Sequence, residues 1–235
     1  MSTSDRLPAK SRSADVDAFL ADLKRAPAVR PAGGGGRLIF ALDATASREP
    51  TWDRACRIQG EMFEATAALG GLDVRLVFYR GFAECKASRW MQSAAELHKA
   101  MRSVSCIGGE TQIERVLEHA IGETKKQRVH ALVFVGDAME EEVDRLCRLA
   151  GELGLLGTPV FIFHEGGDAT AAAAFRQIAK LSRGAYLSFD LASADRLKEL
   201  LAAVAVFAAG GYRALADLSK KKGGDVRLLT AQLKE

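Results

Sequence analysis

Residues 35–55, GGRLIFALDATASREPTWDRA, join an apolar run to a polar loop. The run 37–42 is typical of a parallel strand that is covered on both faces of its sheet. It leads directly into Asp43, and Thr45 and Ser47 occupy the next alternate positions. Side chains at i, i+2 and i+4 of an extended segment point the same way. The stretch therefore predicts a buried strand that ends in one carboxylate and two hydroxyls directed at one point.

Apolar runs and amphipathic segments alternate along the rest of the chain. This alternation predicts an α/β fold: a doubly wound, mostly parallel six-stranded sheet with helices on both faces. Ligands of such sheets bind beyond the carboxyl ends of the strands. The third strand should be short, lie at the sheet edge and run antiparallel after a tight connection. The predicted strands are 37–42, 72–79, 81–91, 129–137, 158–163 and 185–189, and the predicted helices are 51–69, 93–104, 111–126, 141–154, 169–182 and 193–209.

The 235 residues are predicted to divide into three parts. Residues 1–36 contain a short amphipathic helix and a Gly/Pro linker. Residues 37–209 form the α/β domain, which is long enough to bury one sizeable core. Residues 210–235 form a basic extension with room for one short docking helix. The glycine run 33–36 precedes a strand and has no Gly-Lys-Ser/Thr after it, so it is not a phosphate-binding loop.

Composition argues against several classes of protein. The net charge is only +3, and the basic residues are not concentrated as in most nucleic-acid-binding proteins. The four cysteines and four histidines are scattered, with no Cys-x-x-Cys pair and no histidine pair at zinc-site spacing. The N-terminus lacks an apolar signal segment, and no stretch approaches about 18 uninterrupted apolar residues. We therefore expect a cytoplasmic protein with no disulfides and no membrane partner.

Two later segments offer further oxygen donors at the ends of predicted elements. Thr111 follows the pair Gly108–Gly109 and stands where a helix begins, and Asp137 ends the apolar run 129–137. Carboxylate and hydroxyl oxygens are the ligands of a hard cation such as Mg²⁺. None of these donors is soft, so zinc and copper fit poorly. The sequence thus predicts a magnesium site assembled from three loops.

These motifs resemble the von Willebrand factor type A (VWA) domain, in which D-x-[ST]-x-S follows an apolar strand. A threonine in a glycine-containing turn and an aspartate that ends a later strand complete the pattern. The order of elements from about 37 to 208 is also similar to that family. The resemblance implies the sheet order 3-2-1-4-5-6 and a metal-ion-dependent adhesion site (MIDAS) that holds Mg²⁺ or Mn²⁺. The residues that it assigns to the metal are Asp43, Thr45, Ser47, Thr111 and Asp137, with Thr45 standing where serine is commoner.

The resemblance also implies a function. In the family, an Asp or Glu of a partner protein completes the coordination of the metal. We therefore expect a non-catalytic, divalent-cation-dependent adaptor whose partner is a protein that presents Asp or Glu. By analogy with intracellular proteins of this kind, the expected setting is an assembly that contains an AAA+ ATPase.

Two alternative functions remain open. A Mg²⁺-dependent phosphoryl-transfer enzyme would use Asp43 as its nucleophile. Phosphatases of the haloacid dehalogenase type, however, need a second acid where this chain has Thr45, and no receiver-type acidic pair precedes Asp43. A nucleic-acid-associated protein would bind through the basic stretch 210–235, with an affinity that falls steeply with salt.

Several of the candidate residues also have simpler explanations. D-x-T-x-S strings are common in turns and helix caps, and Asp137 could cap the helix that begins near Glu140. The acidic run 140–142 would be favourable at a helix N-terminus. His164 could line the cleft or start a polar loop. The residues expected at the rim of the site are Arg48, Glu49, Glu110, Ala138, Met139 and Glu140.

Overall fold

Six strands form one sheet in the part of the chain that the computed structural model describes, residues 35–49, 52, 62, 65, 71–189 and 194–233. The predicted N-terminal helix, and most of the predicted helix 51–69, lie outside the described residues. The strands are β1 (Gly36–Asp43), β2 (Leu72–Arg80), β3 (Glu84–Met91), β4 (Ala131–Gly136), β5 (Val160–Glu165) and β6 (Ala185–Phe189). The described helices are α1 (Ala94–Arg102), α2 (Ile113–Lys126), α3 (Val143–Leu156), α4 (Ala169–Leu181), α5 (Ala194–Lys222) and α6 (Gly224–Gln232).

The strand order is β3-β2-β1-β4-β5-β6, which confirms the predicted doubly wound sheet. All neighbours are parallel except β2 and β3, because the three-residue connection 81–83 is too short for a parallel crossover. The winding direction reverses between β1 and β4, and Leu42 pairs with Val135 there. Asp43 and Asp137 therefore leave the sheet at neighbouring positions of its carboxyl edge, where open α/β sheets bind ligands.

β1 is buried on both faces, as its uninterrupted apolar sequence predicts. Leu38 and Phe40 belong to the core beneath α1, α5 and α6, whereas Ile39 and Ala41 belong to the core beneath α2, α3 and α4. Burial of apolar surface on both faces, at about 25 cal/mol per Å², makes β1 the centre of the molecule. Its carboxyl end is consequently a rigid platform for the residues that follow.

Helix α5 combines an apolar sequence with a position against the sheet. Its stretch Arg196–Lys222 is long enough to cross a membrane, and its most apolar window has a mean hydropathy of 1.4. Leu200 and Val204 are nevertheless buried against the strands. A Cβ on Gly36 would come within 2.6 Å of the Ala208 carbonyl, so α5 lies directly on the backbone of β1. Core helices satisfy the same criteria of length and composition, which therefore do not assign α5 to a membrane.

Residues after 210 continue the helical layer. The backbone departs from helical geometry at Gly211, where φ is +71°, and α5 then resumes as far as Lys222. Leu215, Val226 and Leu229 join the same core as the first half of α5. The extension is thus anchored to the α/β core at these three positions.

Candidate metal centre

The loop after β1 gathers the first three predicted ligands. Asp43 Oδ1 accepts a hydrogen bond of 2.7 Å from the Thr45 backbone N–H. A short 3₁₀ turn, Ala46–Arg48, then brings Ser47 Oγ to 3.1 Å from Thr45 Oγ1. Asp43 and Thr45 are buried, whereas Ser47 is exposed. One carboxylate and two hydroxyls therefore lie together, with Ser47 on the solvent side, but the 3₁₀ turn places Ser47 where the sequence argument assumed an extended backbone.

The carboxylate of Asp137 approaches that of Asp43 from the neighbouring strand end. Asp43 Oδ2 and Asp137 Oδ1 are both buried, and neither makes a hydrogen bond of normal geometry with a described residue. Burial raises the pKa of Asp43 above its ordinary value, and the nearby charge of Asp137 raises it further. A buried charged group without a partner costs free energy. The two unpaired oxygens thus fit a bound cation, which would offset that cost.

Thr111 lies in the same region but already has partners. Its Oγ1 accepts a hydrogen bond of 3.0 Å from the Glu140 backbone N–H and donates to the carboxylate of Glu141. Its own N–H donates to Glu140 Oε2 at 2.8 Å. A hydroxyl offers one donor and two lone pairs, so one lone pair of Thr111 remains for a cation. The second and third predicted loops are therefore joined through Thr111.

The acidic run 140–142 supplies a carboxylate to a helix N-terminus, as predicted, but that helix precedes the run in the chain. Glu141 accepts hydrogen bonds from the backbone N–H groups of Ile113 and Glu114, so it caps α2, which precedes it in the chain. At α3, by contrast, the N-cap residue Glu142 makes no side-chain capping bond. The favourable charge of the run thus acts at the helix that follows Thr111.

Arg48 is not a rim residue, contrary to the prediction, because it is buried with only 4% of its surface exposed. Its guanidinium forms an ion pair and hydrogen bond with Glu165, which is buried at the end of β5. Burial lowers the pKa of Arg48, and the charges of Asp137 and Asp43 oppose that change. A buried ion pair therefore adjoins the two candidate metal carboxylates.

His164 is buried and contacts the backbone of Asp137. It is 1% exposed, and its Nε2 lies 3.2 Å from the Asp137 carbonyl oxygen. Because a carbonyl can only accept, Nε2 carries the proton, and Nδ1 accepts from the Tyr186 hydroxyl at 2.9 Å. Burial lowers the pKa of His164, which favours this neutral form. Of the two predictions for His164, neither the cleft lining nor the polar loop start describes this buried position.

Tyr79 is a second residue that the sequence did not single out. It pairs with Asp43 across β1 and β2 and is fully buried. Burial raises its pKa well above the ordinary value, and the charge of Asp43 raises it further. Its hydroxyl makes no hydrogen bond of normal geometry, but it lies beside the Asp43 carboxylate and acts to lower the pKa of Asp43. The wall of the site on the β2 side is thus a neutral phenol.

The donor set of the centre consists of oxygen atoms. Among the described residues, no group of three or more His, Cys, Asp or Glu side chains is arranged to hold a metal. The centre instead combines two carboxylates with hydroxyls, the set that a hard divalent cation prefers. The assignment of Asp43, Thr45, Ser47, Thr111 and Asp137 as metal ligands stays a prediction.

Solved structures similar to this chain include VWA domains. The VWA domain of SpRpn10 has a TM-score of 0.58 and 12% identity, covering 70% of this chain and 94% of that one. An aerotolerance-related membrane protein from Bacteroides fragilis has a TM-score of 0.57 and 17% identity, covering 71% and 96%. Proximal thread matrix protein 1 from the mussel byssus, in a structure with a zinc-occupied MIDAS motif, has a TM-score of 0.53 and 17% identity, covering 75% and 46%.

These similarities show the fold. The sequence matches no protein-family model and no curated protein, and identities of 12–17% carry no residue roles across. The six-stranded mixed sheet with its antiparallel edge strand is the VWA fold. The expectation drawn from the resemblance is therefore confirmed at the level of the fold.

Proposed function

We propose that this chain is a non-catalytic protein-binding module whose centre holds a divalent cation, Mg²⁺ or Mn²⁺. The observation that carries the proposal is the pair of buried, unpaired carboxylate oxygens of Asp43 and Asp137. Thr45, Ser47 and Thr111 would supply the hydroxyl donors. A bound cation supplies a positive charge that a carboxylate of a partner protein can approach.

Access and charge both support binding of a partner at this position. Ser47 is exposed and Asp137 is partly exposed, so the centre opens to the surface. Two carboxylates balance one divalent cation, and the neighbouring charge of Arg48 is matched by Glu165. A carboxylate of a partner would therefore meet a cation at an open edge of the sheet, and charge-assisted contacts of this kind are strong.

No observation favours phosphoryl transfer. Asp43 is 1% exposed and its Oδ1 is occupied by the Thr45 N–H, so it is poorly placed to attack a substrate. Both ring nitrogens of His164 have hydrogen-bond partners, the Asp137 carbonyl and the Tyr186 hydroxyl, so neither is available as a general base. The basic run also has internal partners, because Lys220 pairs with Asp217 and Lys222 with Glu199. Neither alternative function gains support.

The resemblance extends the proposal to the setting of the protein. A cytoplasmic assembly that contains an AAA+ ATPase is the proposed source of the partner. This part rests on analogy of fold alone.

Cation binding can be tested by isothermal titration calorimetry with MgCl₂ and MnCl₂. Asp137→Asn should fold, because the lost oxygen has no hydrogen-bond partner, and should weaken binding at least about tenfold, or about 1.4 kcal/mol. Asp217→Asn, at an exposed pair far along α5, is the matched control and should bind as the wild type does. Equal affinities for wild type and Asp137→Asn would contradict the proposal.

The open coordination position can be tested with Mn²⁺ and water. Proton relaxation of the solvent should be enhanced when Mn²⁺ is bound to the chain, because exchanging water reaches the ion. Adding acetate should reduce that enhancement as its carboxylate replaces water. An enhancement that acetate leaves unchanged would show a centre closed to partner carboxylates.

A further inference from the structure

We infer that the partner segment offers more than a carboxylate: it also carries an apolar side chain and a basic residue beside its acid. This inference rests on the proposed function. It concerns the surface around the centre, which we call the metal-edge surface. That surface consists of Phe82, Ile107, Glu49, Glu110 and Glu140.

Two apolar side chains of the metal-edge surface are exposed without cover. Phe82 is 77% exposed, the highest value among the large hydrophobic residues that the structure describes, and Ile107 is 44% exposed. Phe82 lies in the β2–β3 turn and Ile107 in the loop between α1 and α2. Burying a phenylalanine side chain contributes about 1.5–3 kcal/mol. An aromatic residue at a turn tip is thus a strong candidate anchor for a partner.

Backbone hydrogen bonds fix both residues beside the centre. The Ile107 N–H donates to the Ala44 carbonyl at 3.1 Å, and the Glu110 N–H donates to the Gly81 carbonyl at 3.2 Å. With standard backbone dimensions, the Cα of Ile107 lies at most about 11 Å from that of Asp43. The same reasoning places Phe82 at most about 15 Å from Thr111. The apolar pair and the centre therefore fall within reach of one short segment.

The acidic residues of the metal-edge surface set the charge of the partner. Glu49, Glu110 and Glu140 are exposed neighbours of the predicted ligands, and none forms an ion pair with a described residue. Of the nearby basic residues, Arg48 is buried with Glu165 and Arg80 pairs with Glu84. Arg115, which donates to the Ala83 carbonyl, is exposed, so three glutamates face one exposed arginine. A partner segment that carries acidic residues and no basic residue would be repelled by the metal-edge surface. Charge complementarity favours a segment whose acid is flanked by Lys or Arg.

The occupant that these features fit is an extended segment of another protein. At about 3.3 Å per residue, three to five residues are enough to cover the upper limits of about 11 and 15 Å. The segment should therefore present Asp or Glu to the cation, an apolar residue within five positions of it, and Lys or Arg near the acid. An anionic membrane surface fits poorly, because the rim is itself acidic.

A random 12-residue peptide display library, selected on the full chain in Mg²⁺ and eluted with EDTA, tests this inference. Wild type should enrich peptides that combine the acid, the apolar residue at that spacing and a basic residue. Phe82→Ser should lose the apolar preference. Leu155→Ser makes the same kind of change at an exposed leucine near the end of α3, on the opposite edge of the sheet. This variant should keep the apolar preference. Glu110→Lys should lose the basic preference while elution by EDTA persists.

The outcomes separate the two proposals. Enrichment of acidic peptides with no apolar or basic preference would overturn this inference and leave the proposed function standing. Failure to enrich acidic peptides in Mg²⁺ would contradict both. Mg²⁺-dependent dimers on gel filtration that Phe82→Ser disperses would identify a second copy as the occupant and would also overturn the inference.

Discussion

Replacing Glu165 by glutamine should destabilise the protein strongly, although Glu165 is buried and would not contact a partner protein. The Arg48–Glu165 pair has side-chain exposures of only 4% and 7%. Exposed ion pairs contribute about 0–1 kcal/mol, but removing one member of a buried pair leaves a buried charge and costs about 3–5 kcal/mol. Glu165→Gln should therefore lose about 3–5 kcal/mol, which corresponds to a fall in Tm of roughly 6–20 °C.

The measurement is urea unfolding in EDTA, so that cation binding does not contribute. Arg48→Met should cost a similar amount, because it leaves the Glu165 carboxylate buried without its partner. In the double variant neither member of this pair leaves the other as an isolated charge, so its loss should be smaller than the sum by about 3 kcal/mol. Such a coupling free energy isolates the interaction between the two side chains.

The exposed pair Lys220–Asp217 provides the control, since its side chains are 77% and 69% exposed. Asp217→Asn should change the free energy of unfolding by less than about 1 kcal/mol. A loss below about 1 kcal/mol for Glu165→Gln would refute the reasoning, because it would mean that water reaches the guanidinium. Strictly additive losses in the double variant would do the same.

Two further predictions concern the backbone near Thr111 and the half-buried thiol of Cys85. A Cβ at Gly109 would lie 2.1 Å from the Gly81 carbonyl oxygen, whereas one at Gly108 meets nothing nearer than 4.0 Å. Gly109→Ala should thus weaken Mg²⁺ binding about tenfold and lower the free energy of unfolding by roughly 1–3 kcal/mol. Gly108→Ala is the control, and calorimetry that shows the same effect for both substitutions would contradict this prediction. Burial raises the pKa of Cys85 to about 11. In a variant whose other cysteines are replaced by serine, labelling of Cys85 by a disulfide reagent at pH 8 should therefore be about 100-fold slower in the folded protein than in the chain unfolded by guanidinium. Equal rates would show an open thiol.

The fold could be predicted because its signals are local. The run 37–42 has no polar side chain on either face after Arg37, and only a strand covered on both sides suits such a run. The short connection 81–83 likewise dictates an antiparallel neighbour. The sequence places Asp43 and Asp137 at the ends of apolar runs, but only the sheet order implied by the resemblance to VWA domains makes them neighbours, and the structure has that order.

The supporting residues could not be predicted because their partners are far apart in sequence. Arg48 and Glu165 are separated by 117 positions, and each alone reads as an ordinary surface charge. From the sequence, His164 is interpreted as a loop residue, because its contact with the Asp137 carbonyl is visible only in the structure. Glu141 stands just before α3, yet it caps α2, which begins 28 positions earlier. Burial of polar groups depends on non-local pairing, which residue patterns do not encode.

The contacts around Thr111 bear on how a cation would be accommodated. Thr111 connects to the third loop through Glu140 and Glu141, and the first loop connects to the second through the Ala44–Ile107 hydrogen bond. All three loops are thus held together by protein contacts alone. A cation would then spend little of its binding free energy on ordering the chain, since preorganised sites avoid that cost. Among the predicted ligands, Asp43 Oδ2 and Asp137 Oδ1 are carboxylate oxygens that make no hydrogen bond of normal geometry, so the interaction with a cation should be concentrated on those two residues.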